Sequence, residues 1–253
     1  MIIDADTHIS PYKDKERIQM EKLIELMDTS HVDKALTWLH EPYMRVLEES
    51  NTYVYEAVKK YPDRLIGFGW LDPHFGRAHC LEVIKKGVEE YNFPGFKMNG
   101  SRNEFYYDDA EMSLPLAEEL AKRGLILAFH VGSDAFDATH PYRVEKIAKM
   151  FPEMTILMVH MGGVGKPDMT MACIDIAKRN PNLHLIGSHV NLKCVAAAID
   201  ELGAERVSFG SDTPFTYMHS EVNAYKALLE DLYTPREREL VMGGNMRRLL
   251  SVQ

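Results

Sequence analysis

Ile126-Leu127-Ala128-Phe129-His130 is an apolar run closed by an imidazole, and Thr155-Ile156-Leu157-Met158-Val159-His160 repeats the pattern about 30 residues later, the length of one βα unit. A run this short and apolar reads as a strand buried on both faces. Runs of the same kind flank the pair at Ile2–Asp6, Lys34–Leu39, Leu65–Leu71, Gly95–Met98, Leu183–Gly187 and Val207–Gly210, which makes eight predicted strands. Amphipathic stretches fill the intervals. Ile18, Leu23, Leu26 and Met27 share one helical face, and Leu114, Leu116, Ala117, Leu120 and Ala121 share another. Gly124 and Gly203 stand where a helix needs a left-handed stop. Tyr61-Pro62-Asp63, Phe151-Pro152-Glu153 and Asn180-Pro181-Asn182 each end a helix ahead of a buried strand. The expected architecture is one α/β domain over residues 1–253, a single (β/α)8 TIM barrel. An open doubly wound sheet uses the same alternation, but eight strands with polar residues at several strand ends favour closure.

Composition agrees and narrows the function. With 253 residues, 45% hydrophobic and 26% charged, the chain can bury a substantial core. Its net charge of −9 and pI of 5.7, without a long basic run, oppose nucleic acid as a partner. Cys80, Cys173 and Cys194 are odd in number and widely spaced, which suits reduced thiols and buried packing better than a disulfide framework. Two acids in Met1-Ile2-Ile3-Asp4-Ala5-Asp6 do not fit a secretory signal, and no apolar run is long enough for a span. The expectation is a cytoplasmic protein without a membrane segment.

Barrel enzymes place their chemistry at the carboxyl ends of the strands. Here those ends carry Asp6-Thr7-His8, His130, His160 and Ser211-Asp212. Residues two apart on a strand face one side, so Asp6 and His8 form a two-pronged ligand of carboxylate oxygen and imidazole nitrogen. Such donors suit zinc or another first-row divalent ion, manganese included. Asp-x-His alone is common by chance, and a lone buried histidine is usually a satisfied core residue. Several polar side chains closing apolar runs at one mouth cost stability unless they share a task.

Other strand-end residues are candidates for selecting a small-molecule substrate: His40 and Glu41, Trp70 and Asp72, Asn99 and Arg102, and His189. Trp70, Lys97, Asn99 and Arg102 form the expected substrate-binding set. Arg102 and Arg143 are the best groups for a carboxylate, because guanidinium offers paired donors to a planar anion. Met150, Met154, Met158 and Met161 are read as core packing rather than a soft-metal site. His74, His79, His184 and His219 are given no role.

Taken together, Ile3-Asp4-Ala5-Asp6-Thr7-His8, Gly95-Phe96-Lys97, Phe129-His130-Val131-Gly132, Val159-His160-Met161-Gly162-Gly163, Phe209-Gly210-Ser211-Asp212-Thr213-Pro214 and Gly243-Gly244-Asn245-Met246-Arg247-Arg248-Leu249-Leu250 resemble the amidohydrolase superfamily. The likeness is to the branch containing aminocarboxymuconate-semialdehyde decarboxylase, aromatic-acid decarboxylases and metal-dependent hydrolases, and it spans essentially the whole chain. By that resemblance Asp6, His8, His130 and Asp212 are the metal ligands. Asp212 and His160 are the catalytic pair: Asp212 also handles a proton, and His160 ligates or polarises the substrate. Many relatives carry His-x-His on the first strand, so Asp6 is a departure. Lys97 lies on the strand where some members carboxylate a lysine to bridge two metals; a single ion is the expectation here. The resemblance implies hydrolysis of a small amide, lactone or ester, with decarboxylation of an aromatic or unsaturated acid as the alternative. A non-catalytic barrel is the reading from another class, and the intact polar set argues against it. A homodimer would be unsurprising.

Overall fold

The computed structural model describes residues 1–40, 47–132, 134–163 and 167–251. Among them β1 (Ile3–Ile9), β2 (Lys34–Leu39) and β3 (Leu65–Gly67) form one parallel ladder. A second runs through β4 (Gly69–Leu71), β5 (Gly95–Met98), β6 (Ile126–His130), β7 (Ile156–Val159), β8 (Leu183–Ile186) and β9 (Val207–Ser208).

The two ladders are one ring. β3 and β4 are a single path interrupted at Phe68, whose amide still donates to the Thr37 carbonyl of β2 at 3.0 Å. At the other seam the Ala5 amide reaches the Phe209 carbonyl at 3.1 Å, the Asp212 amide reaches Asp6 at 2.9 Å, and the His8 amide reaches Thr213 at 2.7 Å. First and last strands therefore pair in parallel and close the (β/α)8 barrel. Asp4 reinforces this seam: its Oδ1 accepts from the amides of Asp6 at 3.1 Å and Ser211 at 2.9 Å.

Two apolar layers follow from strand alternation. Leu36, Trp38, Phe68, Ala128, Leu157, Val159 and Ile186 fill the lumen, while Phe96, Leu127, Phe129, Ile156, Met158 and Leu185 pack outward under the helices. Helices α1 (Met20–Ser30), α2 (Leu47–Lys60), α3 (Arg77–Glu89), α4 (Leu114–Lys122), α5 (Phe136–Thr139), α6 (Pro141–Met150), α7 (Pro167–Arg179) and α8 (Leu192–Leu202) lie outside the ring, and three close the chain: α9 (Met218–Leu232), α10 (Pro235–Glu239) and α11 (Asn245–Leu249). The helices α2, α6 and α7 stop immediately before the residue pairs that introduce Pro62, Pro152 and Pro181. Gly124 takes the expected left-handed stop, with φ of 67°. The first strand runs to Ile9, further than the sequence pattern suggests, with a register shift between Asp4 and Thr7. Among the described residues no helix is long and apolar enough to cross a membrane.

Candidate metal centre

The strand ends converge. Asp6 and His8 come from β1, His130 ends β6, His160 follows β7, Ser188 and His189 follow β8, and Asp212 follows β9. His160, His189 and Asp212 have φ of 68°, 54° and 61°, a left-handed backbone that side-chain-bearing residues seldom adopt. Such turns let each strand aim its terminal side chain back over the lumen, and the cost is borne at one place.

Asp6 is the hub, with no solvent exposure. Its Oδ2 accepts from the Ser188 hydroxyl and lies 3.8 Å from His160 Nδ1. Its Oδ1 lies 3.3 Å from His8 Nε2 and 3.5 Å from Lys97 Nζ, yet accepts no hydrogen bond of ordinary geometry. Burial by itself would raise this carboxyl; the Lys97 charge, His8 and His160 together hold it well below the usual carboxylate range. Burial likewise opposes ionisation of Asp212, but His160, His189 and His8 outweigh it and hold the carboxyl at about 2. His189 Nδ1 stands 3.1 Å from Asp212 Oδ2.

The histidine tautomers follow from the hydrogen bonds. His160 Nδ1 faces the Ser188 carbonyl and hydroxyl, both at 3.0 Å. Since that hydroxyl gives its proton to Asp6, Nδ1 is the donor and Nε2 carries the lone pair. Burial keeps the ring neutral, with a pKa of about 4. His8 Nδ1 faces the Leu39 carbonyl at 3.0 Å, and its Nε2 lies 3.1 Å from the Trp38 indole N–H. His8 Nε2 also faces Asp6 Oδ1 and, at 3.4 Å, Asp212 Oδ1, and these two carboxylates favour a proton there when no ion is bound. Two carboxylates at this range repel one another unless a cation or a proton lies between them. Donor atoms of Asp6, His160 and Asp212 all fall within 4.8 Å of one another. A buried oxygen without a hydrogen bond, two carboxylates and the unprotonated Nε2 of His160 fit a divalent ion.

The cavity above this group holds about 270 Å³. His8, His130, His160 and Asp212 line its floor; Arg102, Asp134, His189 and Phe215 line its sides. The Phe215 ring stands edge-on to His8 at 5.2 Å and stacks on His40 at 4.8 Å. A second groove, of about 200 Å³, lies outside the barrel along α3 and contains none of the strand-end residues.

Of the residues singled out in the sequence, Asp6, His8, His160 and Asp212 come together. His130 is close, its ring 4.6 Å from that of His160, but its Nε2 is turned to Asp134 Oδ1 at 2.9 Å. Arg102 lines the cavity, whereas Lys97, Trp70 and Asn99 do not. Lys97 is enclosed beside Trp38 and Trp70. Trp70 donates to Asn103 Oδ1 at 3.0 Å, and Asn99 Oδ1 accepts from the amides of Ser101 and Arg102 at 3.0 and 3.2 Å, shaping the loop that carries Arg102. Arg143 pairs with Asp108 at 2.5 Å outside the cavity, which leaves Arg102 as the guanidinium lining it among the described residues. Glu41 lies outside the described residues. Sequence reasoning missed Trp38, Asp134 and Ser188. Gly187-Ser188 directly after an apolar run was the available signal for one of them; the other two declare themselves only through contacts.

A family model described as Amidohydrolase matches residues 3–252. Among solved structures, 2,6-dihydroxybenzoate decarboxylase from Rhizobium superposes with a TM-score of 0.79 at 19% identity, covering 99% of this chain and 98% of its own. A dihydroxybenzoic acid decarboxylase from Polaromonas sp. JS666, with bound manganese and the inhibitor 2-nitroresorcinol, gives 0.76 at 19% identity, with 99% and 97% covered. An amidohydrolase from Burkholderia multivorans with bound zinc gives 0.79 at 15% identity, with 100% of each chain covered. No curated protein sequence matches. At these identities the structural likeness speaks for the fold alone.

Proposed function

The chain belongs to the amidohydrolase family, and from that premise we propose that it is a metal-dependent hydrolase of a small amide, lactone or ester. The observation that carries the reading is the convergence of Asp6, His160 and Asp212 donor atoms beneath a cavity of small-molecule size. Asp6, His8, His160 and Asp212 would hold the ion, and His130, braced by Asp134, would complete the set or contact the substrate. Zinc is assigned first because imidazole nitrogen together with carboxylate oxygen suits it, with manganese the alternative, and solved structures of this fold contain one or the other. Such an ion supplies a Lewis acid that polarises a carbonyl and acidifies water.

The chain's own residues do the rest. Asp212 stays ionised in the mouth and accepts the proton of the attacking water, with the His189 imidazole holding its Oδ2 in place. Ser188 fixes the His160 tautomer, so His160 Nε2 presents a lone pair and serves as a ligand rather than as a proton donor. Arg102 meets an acidic group of the substrate from the cavity side.

Decarboxylation of an aromatic acid is the second reading. Arg102 and the flat Phe215 ring in one cavity suit a planar carboxylate, and two of the similar structures bear that activity in their names. Zinc-loaded and manganese-loaded protein should be offered lactones, esters, amides and hydroxybenzoates, with acid release and carbon dioxide followed in parallel. Hydrolysis predicts acid release that Asp212→Asn abolishes; carbon dioxide from the benzoates, without hydrolysis of the others, replaces this reading with the second.

A further inference from the structure

Lys97 occupies an unusual position for a lysine. It sits on β5 with no solvent exposure, its Nζ 3.5 Å from Asp6 Oδ1 and 3.8 Å from the centroid of the Trp38 ring. Trp70 flanks it at 5.7 Å. Both aromatic faces are fixed. Asn51 grips the Trp70 backbone, giving 3.1 Å to its carbonyl and 2.8 Å from its amide, and Asn103 takes the indole N–H at 3.0 Å. Trp38 is held by His8 and packs against Phe68. An ammonium caged between two indoles and a carboxylate has spent its side-chain entropy and gains cation–π attraction in return. Lys97 is not among the residues that line the cavity.

The charges around Asp6 give this cage a consequence. Asp6 and Asp212 supply two negative charges, and Lys97 returns one positive charge on the β5 side of Asp6. A divalent ion among Asp6, His160 and Asp212 thus meets a net charge of only −1 and is held less tightly than by the two carboxylates alone, whereas a second ion on the β5 side would meet the ammonium at close range in a medium of low dielectric. Resting on the metal-centre reading above, we propose that Lys97 is a positioning residue, a fixed internal cation that limits the centre to one divalent ion and holds down its affinity.

Cobalt(II) titration of metal-free protein, followed by visible absorption and by competition with a chelating dye, tests this without a substrate. Wild type should saturate at one ion per chain. Lys97→Met keeps the length of the side chain without its charge, so it should bind cobalt at least about tenfold more tightly or take up a second ion. Lys97→Arg, which keeps the charge, should retain one ion at wild-type affinity. Two ions in wild type, or a folded Lys97→Met protein whose affinity and stoichiometry are unchanged or weakened, overturns the proposal while leaving the centre standing. Absence of binding to wild type removes the centre and this inference with it.

Discussion

His8 Nε2 lies 3.4 Å from Asp212 Oδ1 across the seam where the first and last strands pair. The centre is therefore built on barrel closure: the Asp6 and Asp212 backbones are hydrogen-bonded to each other, and the Asp4 carboxylate clamps the amides of Asp6 and Ser211. Ligands on paired strands are positioned more rigidly than ligands on free loops.

Metal binding should weaken in acid and release a proton. Burial and the Lys97 charge oppose protonation of His8, but contacts with Asp212 and Asp6 prevail and lift its pKa above the ordinary 6.5. Free protein therefore holds a proton on His8 more readily than a free imidazole does, and an arriving ion must displace it. Calorimetry of zinc binding between pH 8 and 6, in buffers of different ionisation enthalpy, should show proton release that grows as the pH falls, with affinity falling alongside it by at most about tenfold per pH unit. A pH-independent affinity excludes His8 as a ligand.

Asp212→Asn should fold, keep part of its metal affinity and lose turnover by about 10²-fold or more. Because Asp212 stays ionised down to about pH 2, the acid limb of the wild-type rate should follow metal loss through His8 and not protonation of Asp212. Metal supplied in excess should shift that limb to lower pH. A limb that ignores metal concentration would return the titration to another group.

Ser188→Ala removes the hydroxyl shared by Asp6 and His160. Partners of metal ligands typically contribute about 10- to 100-fold in affinity, and a loss in that range is expected, with thermal unfolding little changed. Unaltered zinc affinity would show that the backbone carbonyl of Ser188 suffices to set the His160 tautomer.

Acid stability offers a test away from the centre. His184 is buried on β8 with its Nε2 2.8 Å from Ser208 Oγ, and burial, with Arg206 and Arg248, lowers its pKa to about 3. The folded state thus holds this ring neutral. Its contribution is complete above the unfolded value of 6.5 and erodes as pH falls from 6.5 towards 3. His184→Gln should flatten the decline of unfolding free energy over that window; an unchanged slope would mean that the ring is charged in the folded protein.

Strand positions and strand-end chemistry were legible because both follow from local pattern: apolar runs set the ring, and Asp6, His8, His160 and Asp212 stand where those runs stop. Phe68 was not legible as a break, since the pairing of β3 with β2 and of β4 with β5 depends on partners distant in sequence. Lys97 reads as a mouth residue in the sequence and proves to be enclosed, because Trp38 and Trp70 reach it from two other strands. Ser188 acts through its contacts with Asp6 and His160, and Asp134 through its contact with His130, and no spacing rule announces such contacts.

The most direct measurement is anomalous diffraction from crystals of protein purified without chelator, with data collected on both sides of the zinc and manganese absorption edges. One anomalous peak per chain is expected, bonded by Asp6, His8, His160 and Asp212. A peak outside this group, or none in protein that has been offered both metals, contradicts the metal-centre reading.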